Sequence, residues 1–325
     1  MFKRLLVPII LISIALCVGL FVLLANTGVF SADSSVTLKL IMIIALFGIL
    51  PAAIIIACSL SLMRMLTAKY AVSAGQKRYL TFGLILSVQN REPFQIFKLI
   101  MATKGQARKT LREFWGIRNR EGVLETAHYL SIAGGHTAFA DDVFNKLIKT
   151  GKLEPLTEDN LHNPAGLENA YQAAVEREFG KGPAGEALTP EQRAAVTKAF
   201  LSRVNDGLEC YTITLKHLLN AGYTENELLS IPTTAAWDFG RVCFIVKFGA
   251  AARYIDEADA WPYLKAAADN ASKTYNSWRE YFAAYALGRA IAYGYEGLFS
   301  EPSDIIKGLI NKPKGKLDLS NISFK

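Results

Sequence analysis

Two long runs of uncharged, mostly apolar residues near the N-terminus constrain this chain more than any other feature of its sequence. Residues 5–24 read LLVPIILISIALCVGLFVLL, and residues 40–63 read LIMIIALFGILPAAIIIACSLSLM. An α-helix of about 20 apolar residues crosses the ~30 Å hydrocarbon layer of a bilayer. The sequence therefore predicts two transmembrane helices, which together form a membrane anchor within residues 1–66.

The basic residues around these runs predict their orientation. Lys3 and Arg4 precede the first run, Lys39 is the only basic residue between the two runs, and several basic residues follow the second. Because basic loops tend to stay on the cytoplasmic side of a membrane, both termini are predicted to be cytoplasmic. A cleaved signal peptide is the alternative for the first run, which is, however, longer than a typical signal-peptide core and precedes no small-x-small cleavage site.

Positive charge is concentrated just after the second run. Residues 64–120 contain twelve Lys or Arg and only Glu92 and Glu113 as acidic residues, within a net charge of +7 for the whole chain. A basic segment beside a membrane is attracted to anionic lipid headgroups by about 1 kcal/mol per basic side chain. We therefore expect lipid headgroups as partners near residues 64–120. A nucleic-acid surface is the disfavoured alternative, since no nucleic-acid-binding motif is present.

The rest of the chain has the apolar periodicity and the start signals of α-helices. Residues 189–192 (TPEQ) and 277–280 (SWRE) are N-terminal capping patterns, and the periodicity predicts separate helices over 190–204 and 207–221. No alternating apolar run requires a strand, so we predict an all-α fold. The predicted parts are the anchor (1–66), a basic juxtamembrane helical segment (67–110), a helical domain (111–311) and a basic tail (312–325).

Familiar catalytic and cofactor-binding motifs are missing from the sequence. There is no GxSxG, no GxxxxGK[ST], no HExxH, and no GxGxxG that follows a strand. The four cysteines lack the spacing of a zinc site or a disulfide framework. His128 and His136 lie near Asp141 and Asp142, but a histidine that caps a helix C-terminus explains this arrangement more simply than a metal site. We predict neither a metal ion nor a cofactor.

The most unusual side chains are charges set among apolar residues of predicted helices. Asp238 and Arg241 are three residues apart in AAWDFGRVCFIVKFGAAARY, so they share a helical face and can pair within the helix. Arg289 lies in SWREYFAAYALGRAIAYGY, where its other neighbours are mostly apolar or aromatic. An unpaired buried charge is costly, so Arg289 needs a partner, and Asp238 is the simplest one.

This cluster supports two interpretations. In the first, Arg241 and Arg289 form a fork for a carboxylate or phosphate ligand, Asp238 orients them, and Trp237 and Trp278 are walls. In the second, the three charged residues form a closed ion-pair network that fixes how two helices dock.

Four segments of the chain form a recognisable pattern. They are WDFGRVCFIVKFGAAARYIDEADAW (237–261), SWREYFAAYALGR (277–289), Trp-Gly-Ile at 115–117 and Gly-Gly-His at 134–136. Together they resemble a bacterial domain of unknown function that is typified by the YbeU and YbeR proteins of enterobacteria. The likeness spans residues 110–295 and implies a helical bacterial domain, but no biochemical activity. The pattern positions it implies are Trp237, Asp238, Arg241, Trp261, Trp278 and Arg289.

These observations predict a membrane-tethered helical interaction or accessory module at the cytoplasmic face of a bacterial inner membrane. Its expected partners are the lipid bilayer and a cytoplasmic protein, and an effector/immunity-type system is one form that such a module takes. The alternative is an enzyme that acts on a small anion or a lipid headgroup through the Asp/Arg cluster.

Overall fold

The computed structural model describes residues 70–100, 102–157, 189–294 and 321–325, with isolated residues at 56, 57, 61, 65, 167, 171, 306, 308 and 319. The chain divides into two compact units, residues 1–71 and residues 72–325. Apart from the isolated residues at 56, 57 and 61, both predicted membrane spans (5–24 and 40–63) lie outside the described residues. Among the residues that are described, no helix is long and apolar enough to cross a bilayer.

The described part of the second unit is built from α-helices and one π-helical turn (Phe144–Ile148) and contains no β-strand, which confirms the predicted all-α class. In chain order the helices are α1 (Ala74–Thr81), α2 (Leu84–Gln89), α3 (Lys104–Trp115), α4 (Arg120–Ser131), α5 (Thr137–Val143), α6 (Pro190–Asn220), α7 (Glu225–Leu229), α8 (Ala236–Ala251), α9 (Glu257–Thr274) and α10 (Trp278–Tyr293).

Helix α8 is the centre of the unit. It packs against α2, α3, α4, α9 and α10, and nearly all of its residues are buried. A helix that is apolar around its whole circumference is expected in such a position, because it has no face to offer to water. The charged residues of α8, which are Asp238, Arg241 and Lys247, are buried with it.

Residues 72–110 were predicted as part of a separate juxtamembrane segment, but they pack within the same compact unit as the helical domain. Helix α1 contacts α9 and helix α2 contacts α8. Arg78 of α1 donates hydrogen bonds from Nε to the carbonyl oxygen of Phe324 (3.1 Å) and from Nη2 to the hydroxyl of Ser272 (2.5 Å). Arg78, one of the basic residues between 64 and 120, thus forms hydrogen bonds to other parts of the domain.

The last five residues lie against the domain, within the stretch predicted as a basic tail. Ile322 and Phe324 are buried. The ring of Phe324 lies 4.9 Å from that of Trp278 and 5.6 Å from that of Phe82, measured between centroids. Trp278 Nε1 also donates a 2.9 Å hydrogen bond to the carbonyl oxygen of Ile322. The C-terminus is therefore part of the folded core.

Helix α6 is continuous over Pro190–Asn220, where the sequence predicted two helices. The predicted break falls just before Gly207, whose Cα lies against the backbone of Ile291 in α10. A Cβ at residue 207 would come within 2.7 Å of the carbonyl oxygen of Ile291. The glycine therefore permits close contact between two helices and does not end one of them.

Candidate functional site

Asp238, in the first turn of α8, binds the N-terminal end of α5 with its buried carboxylate. Oδ2 accepts hydrogen bonds from Gly135 N (2.9 Å), Thr137 N (3.2 Å) and Thr137 Oγ1 (2.7 Å), and Oδ1 accepts one from His136 N (3.2 Å). Arg241 Nη2 also donates to Oδ1. The first N–H groups of a helix lack partners within the helix and carry partial positive charge. Asp238 therefore supplies the cap that α5 lacks locally.

Gly135 allows this approach. A Cβ at residue 135 would lie 2.7 Å from Asp238 Oδ1 and 2.9 Å from Arg241 Nη2. Any larger residue would force the carboxylate or the backbone to move. This contact requires glycine at the second position of the Gly-Gly-His segment at residues 134–136.

Asp141 of α5 makes the reciprocal contact with the segment that leads into α8. Its oxygens accept hydrogen bonds from Thr233 Oγ1 (2.5 Å), Thr234 N (2.6 Å) and Thr234 Oγ1 (2.7 Å). Helices α5 and α8 therefore each carry a carboxylate that binds the start of the other. These contacts between oriented polar groups fix how the two helices dock.

Arg241 is enclosed by the same contacts, with only 3% of its surface exposed. Besides its ion pair with Asp238, its Nε donates to the carbonyl oxygen of Trp237 (3.3 Å). Its Cζ lies 4.6 Å from the ring centroid of Trp237 and 5.5 Å from that of Trp115. Cation–π contacts of this kind hold a guanidinium between aromatic rings. The Asp238–Arg241 pair is thus a closed internal contact, and Arg241 is not positioned as one arm of a ligand fork.

Arg289 and Trp278 occupy different places relative to this pair. Asp238 forms its ion pair with Arg241 of its own helix, not with Arg289 across the helix pair as the sequence suggested. Arg289 lies near the aromatic part of the cluster, with its Cζ 5.8 Å from the Trp237 ring centroid. Trp278 is eleven residues earlier on α10 and packs against Phe82 and the C-terminal segment. The five predicted site residues therefore do not form one site, since Trp278 lies apart from the other four.

Two buried hydrogen-bond donors beside Arg289 have no acceptor among the described residues. They are Trp237 Nε1 and Tyr285 Oη, and the two rings meet edge to face with centroids 5.1 Å apart. Burial raises the pKa of Tyr285, while the charges of Arg289 and Arg241 act in the opposite direction. Because buried polar groups are normally paired, two adjacent donors of this kind indicate a position where an acceptor would be stabilised.

More aromatic and basic side chains extend this position towards the surface. The ring of Tyr293, 40% exposed, lies 5.6 Å from that of Trp237 and 5.4 Å from that of His136. His136 Nδ1 lies 3.4 Å from Nη2 of Arg203. We define the Trp237 cluster as Trp237, Tyr285, Arg289, Tyr293 and His136. Its chemistry favours an anion or another group rich in acceptors.

Sequence reasoning missed Tyr285, Tyr293 and His136 as members of this cluster. The available signal was the spacing of Tyr285 and Arg289, which are four residues apart and therefore share a face of α10. Tyr293 follows Arg289 by four residues on the same face. His136 carried no such signal, because it reaches the cluster through the docking of α5 on α8.

Nothing in the described ranges has the arrangement of a metal site, since no three His, Cys, Asp or Glu side chains there lie close enough together to hold an ion. Cys210 and Cys243 are buried free thiols. Burial raises the pKa of Cys210 to about 11, with smaller contributions from Glu209 and Asp206. A thiol of this kind is protonated near neutral pH and is a poor nucleophile.

Fold and site together define an all-helical domain in which a buried Asp–Arg pair joins two helices and an aromatic, basic cluster lies beside it. The family model DUF1266, described as a protein of unknown function, matches residues 110–322. The chain therefore belongs to the DUF1266 family. Comparisons with curated proteins and with solved structures find no match.

Proposed function

We propose that this protein is a noncatalytic, membrane-tethered helical module that presents its domain to a protein partner at the cytoplasmic face of a bacterial inner membrane. The observation that carries the proposal is the closed Asp238–Arg241 pair. These side chains were the strongest candidates for chemistry in the sequence, yet both are buried and bound to groups of the protein itself. Their arrangement is that of a structural contact between helices.

The tether is inferred from the two apolar runs at residues 5–24 and 40–63, whose lengths match the thickness of a bilayer. The basic residues at each end favour cytoplasmic termini. Within the DUF1266 family, we propose that the chain is of the type represented by YbeU and YbeR. An accessory or immunity role in an effector system is compatible with such a tethered domain.

A surface for the protein partner is suggested at the C-terminal end of α4. Tyr129 and Ile132 are three residues apart, and more than half of each side chain is exposed (54% and 56%). Tyr129 lies in the last turn of α4 and Ile132 directly follows the helix, so both exposed apolar side chains are available to a partner at this end of it.

The interaction proposal is tested by placing a photoreactive amino acid at Tyr129 of the full chain in bacterial cells. We expect a discrete cross-linked product that disappears when Ile132→Asp is added. The matched control carries the photoreactive residue at Lys198, an exposed position on α6. If residue 129 gives no more product than residue 198 under several growth conditions, the proposal is wrong.

A second candidate function is the binding of a small anion or a lipid headgroup at the Trp237 cluster. It is favoured by two buried hydrogen-bond donors, Trp237 Nε1 and Tyr285 Oη, which have no acceptor in the described part of the chain. A ligand that binds only the folded chain raises its melting temperature. Inorganic phosphate should therefore raise the melting temperature of the full chain relative to chloride at equal ionic strength, and Tyr285→Phe should reduce this rise. An identical melting temperature in both salts would exclude phosphate as the ligand.

A further inference from the structure

One face of helix α3 carries a dense group of exposed basic side chains. Lys104, Arg108 and Arg112 are each four residues apart and form a stripe along the helix, and Lys109 lies beside it. Arg253, from the turn after α8, is exposed close to the start of this stripe. We call these five residues the basic face of α3.

The positive charge of this face is only partly balanced. Glu113 is the acidic residue nearest to it along the helix, with its carboxylate 4.0 Å from Lys109 Nζ and 3.6 Å from Arg112 Nη2. At the other end of the stripe, the charge of Arg108 lowers the pKa of Lys104, followed by desolvation and by the charge of Arg253. A lysine whose pKa is lowered by neighbouring cations lies in a positive local potential, which an anion would stabilise.

The face is held in a defined orientation. Ala107 and Leu111 of α3 are buried, and the helix packs against α8. Arg108 Nε donates a 3.0 Å hydrogen bond to the carbonyl oxygen of Ala252, and its Cζ lies 5.3 Å from the ring centroid of Tyr254. The basic side chains therefore project from a rigid helix whose opposite side is part of the core.

We propose that the basic face of α3 docks on anionic lipid headgroups of the membrane to which the chain is tethered. The inference rests on the proposed tether and narrows the lipid contact from residues 64–120 to one surface. Charge complementarity supports it, because juxtamembrane basic residues attract the anionic cytoplasmic leaflet. The second apolar run ends about 40 residues before Lys104 in the sequence, so the tether would keep the local concentration of lipid high.

The test uses the full chain in lipid nanodiscs, with a fluorophore attached at Gly105→Cys. Gly105 lies among the basic residues, and a Cβ at this position meets no atom within 4 Å. Cys17 and Cys58 are replaced by Ala, whereas Cys210 and Cys243 are buried and remain. The control fluorophore is attached at Asn226→Cys. Asn226 is the second residue of α7, as Gly105 is of α3.

The measurement is fluorescence quenching by lipids that carry a nitroxide on the headgroup. Nanodiscs of phosphatidylcholine alone are compared with nanodiscs of phosphatidylcholine and phosphatidylglycerol in equal amounts. We expect quenching at residue 105 to be at least about twofold stronger in the anionic nanodiscs, because each basic residue adds to the attraction. Quenching at residue 226 should be equal in both.

Charge reversal provides the matched comparison. The triple variant Lys104→Glu/Lys109→Glu/Arg112→Glu should lose the difference between the two lipid compositions. A control triple variant on α6, Arg193→Glu/Lys198→Glu/Lys216→Glu, changes the net charge equally at exposed positions and should retain it. Equal melting temperatures of the two variants establish that unfolding does not cause the loss of the quenching difference.

Three results would overturn the proposal. The first is equal quenching at residue 105 in both lipid compositions, and the second is an equal loss of the quenching difference in the two triple variants. The third is quenching that added RNA relieves but that does not depend on lipid charge. Failure of the tether is a separate outcome, recognised when the chain does not stay with the bilayer under alkaline extraction. In that case the same quenching comparison is made with vesicles added to the chain, and it tests the basic face independently.

Discussion

Asp141 and Asp238 each bind the N-terminal end of the helix that carries the other. Asp238 of α8 accepts hydrogen bonds from the backbone at Gly135, His136 and Thr137, where α5 begins. Asp141 of α5 accepts them from the segment just before α8. Both contacts require the same docking of α5 on α8, so each one reinforces the other.

Replacement of Asp238 should destabilise the domain strongly. In Asp238→Ala, Arg241 would remain buried without its carboxylate and α5 would lose its cap, so we expect a loss of about 3–5 kcal/mol in the free energy of unfolding. Asp269→Ala is the control, because the Asp269–Lys265 pair is exposed and should contribute less than about 1 kcal/mol. Urea denaturation of the full chain in detergent measures both. Similar losses in the two variants would contradict the structural role of Asp238.

Gly135→Ala tests the close approach of the Asp238 carboxylate to the chain. The added methyl would lie 2.7 Å from Asp238 Oδ1, so we expect a loss of about 1–3 kcal/mol from overpacking. Gly75→Ala, near the start of α1, adds a methyl into open space and should instead stabilise by up to about 1 kcal/mol. Thermal unfolding followed by circular dichroism should give melting temperatures that move in opposite directions.

Two buried tyrosines of α10 should respond differently to the loss of their hydroxyl groups. Tyr281 Oη donates to the carbonyl oxygens of Phe82 (2.9 Å) and Ala236 (3.2 Å), so Tyr281→Phe should cost about 1–3 kcal/mol. Tyr285 Oη has no acceptor in the described part of the chain, so Tyr285→Phe should change stability by less than about 1 kcal/mol. Chemical denaturation compares the two variants. An equal loss would show that the Tyr285 hydroxyl has a partner.

The Glu227–Arg279 pair should make stability depend on acid pH. Hydrogen bonds from Arg279 and from the backbone of Thr224 lower the pKa of Glu227 from its ordinary 4.5 to about 2. Because the pKa is lower in the folded state, the stabilisation is complete above pH 4.5 and is lost as the pH falls towards 2. The pair is partly exposed, so we expect a contribution of at most about 1 kcal/mol.

The measurement for this pair is the free energy of unfolding in urea at pH 6 and at pH 3. The chain should lose more stability over this interval than Glu227→Gln, which carries no titrating group at the position. Glu125→Gln, at an exposed position on α4, is the control and should follow the unsubstituted chain. If Glu227→Gln and the unsubstituted chain lose the same amount, the pair does not titrate as described.

The start signals of the helices could be predicted from sequence because they are local. Thr189 and Ser277 accept hydrogen bonds from the backbone three residues later, as their patterns indicated. The continuity of α6 could not be predicted in the same way. A glycine inside a helix normally weakens it. Gly207 is explained by its close contact with the backbone of Ile291, which lies 84 residues later in the chain.

The candidate site was predicted only in part for a similar reason. The spacing of Asp238 and Arg241 predicted their contact, because residues three apart share a helical face. The donors at residues 135–137 lie about 100 residues away from Asp238, and no local pattern connects the two segments. Trp278 resembled a wall of the site in sequence, but it packs with Phe324 at the C-terminus.

By itself, the sequence determined the helical class of the domain, the positions of several helix starts and the contact between Asp238 and Arg241. These properties depend on residues within one or two turns of each other, so the geometry of the helix is sufficient to predict them. Only the tertiary structure decided which segments the charged residues bind. That choice depends on the docking of α5 and α10 against α8, which results from the packing of many side chains distant in sequence.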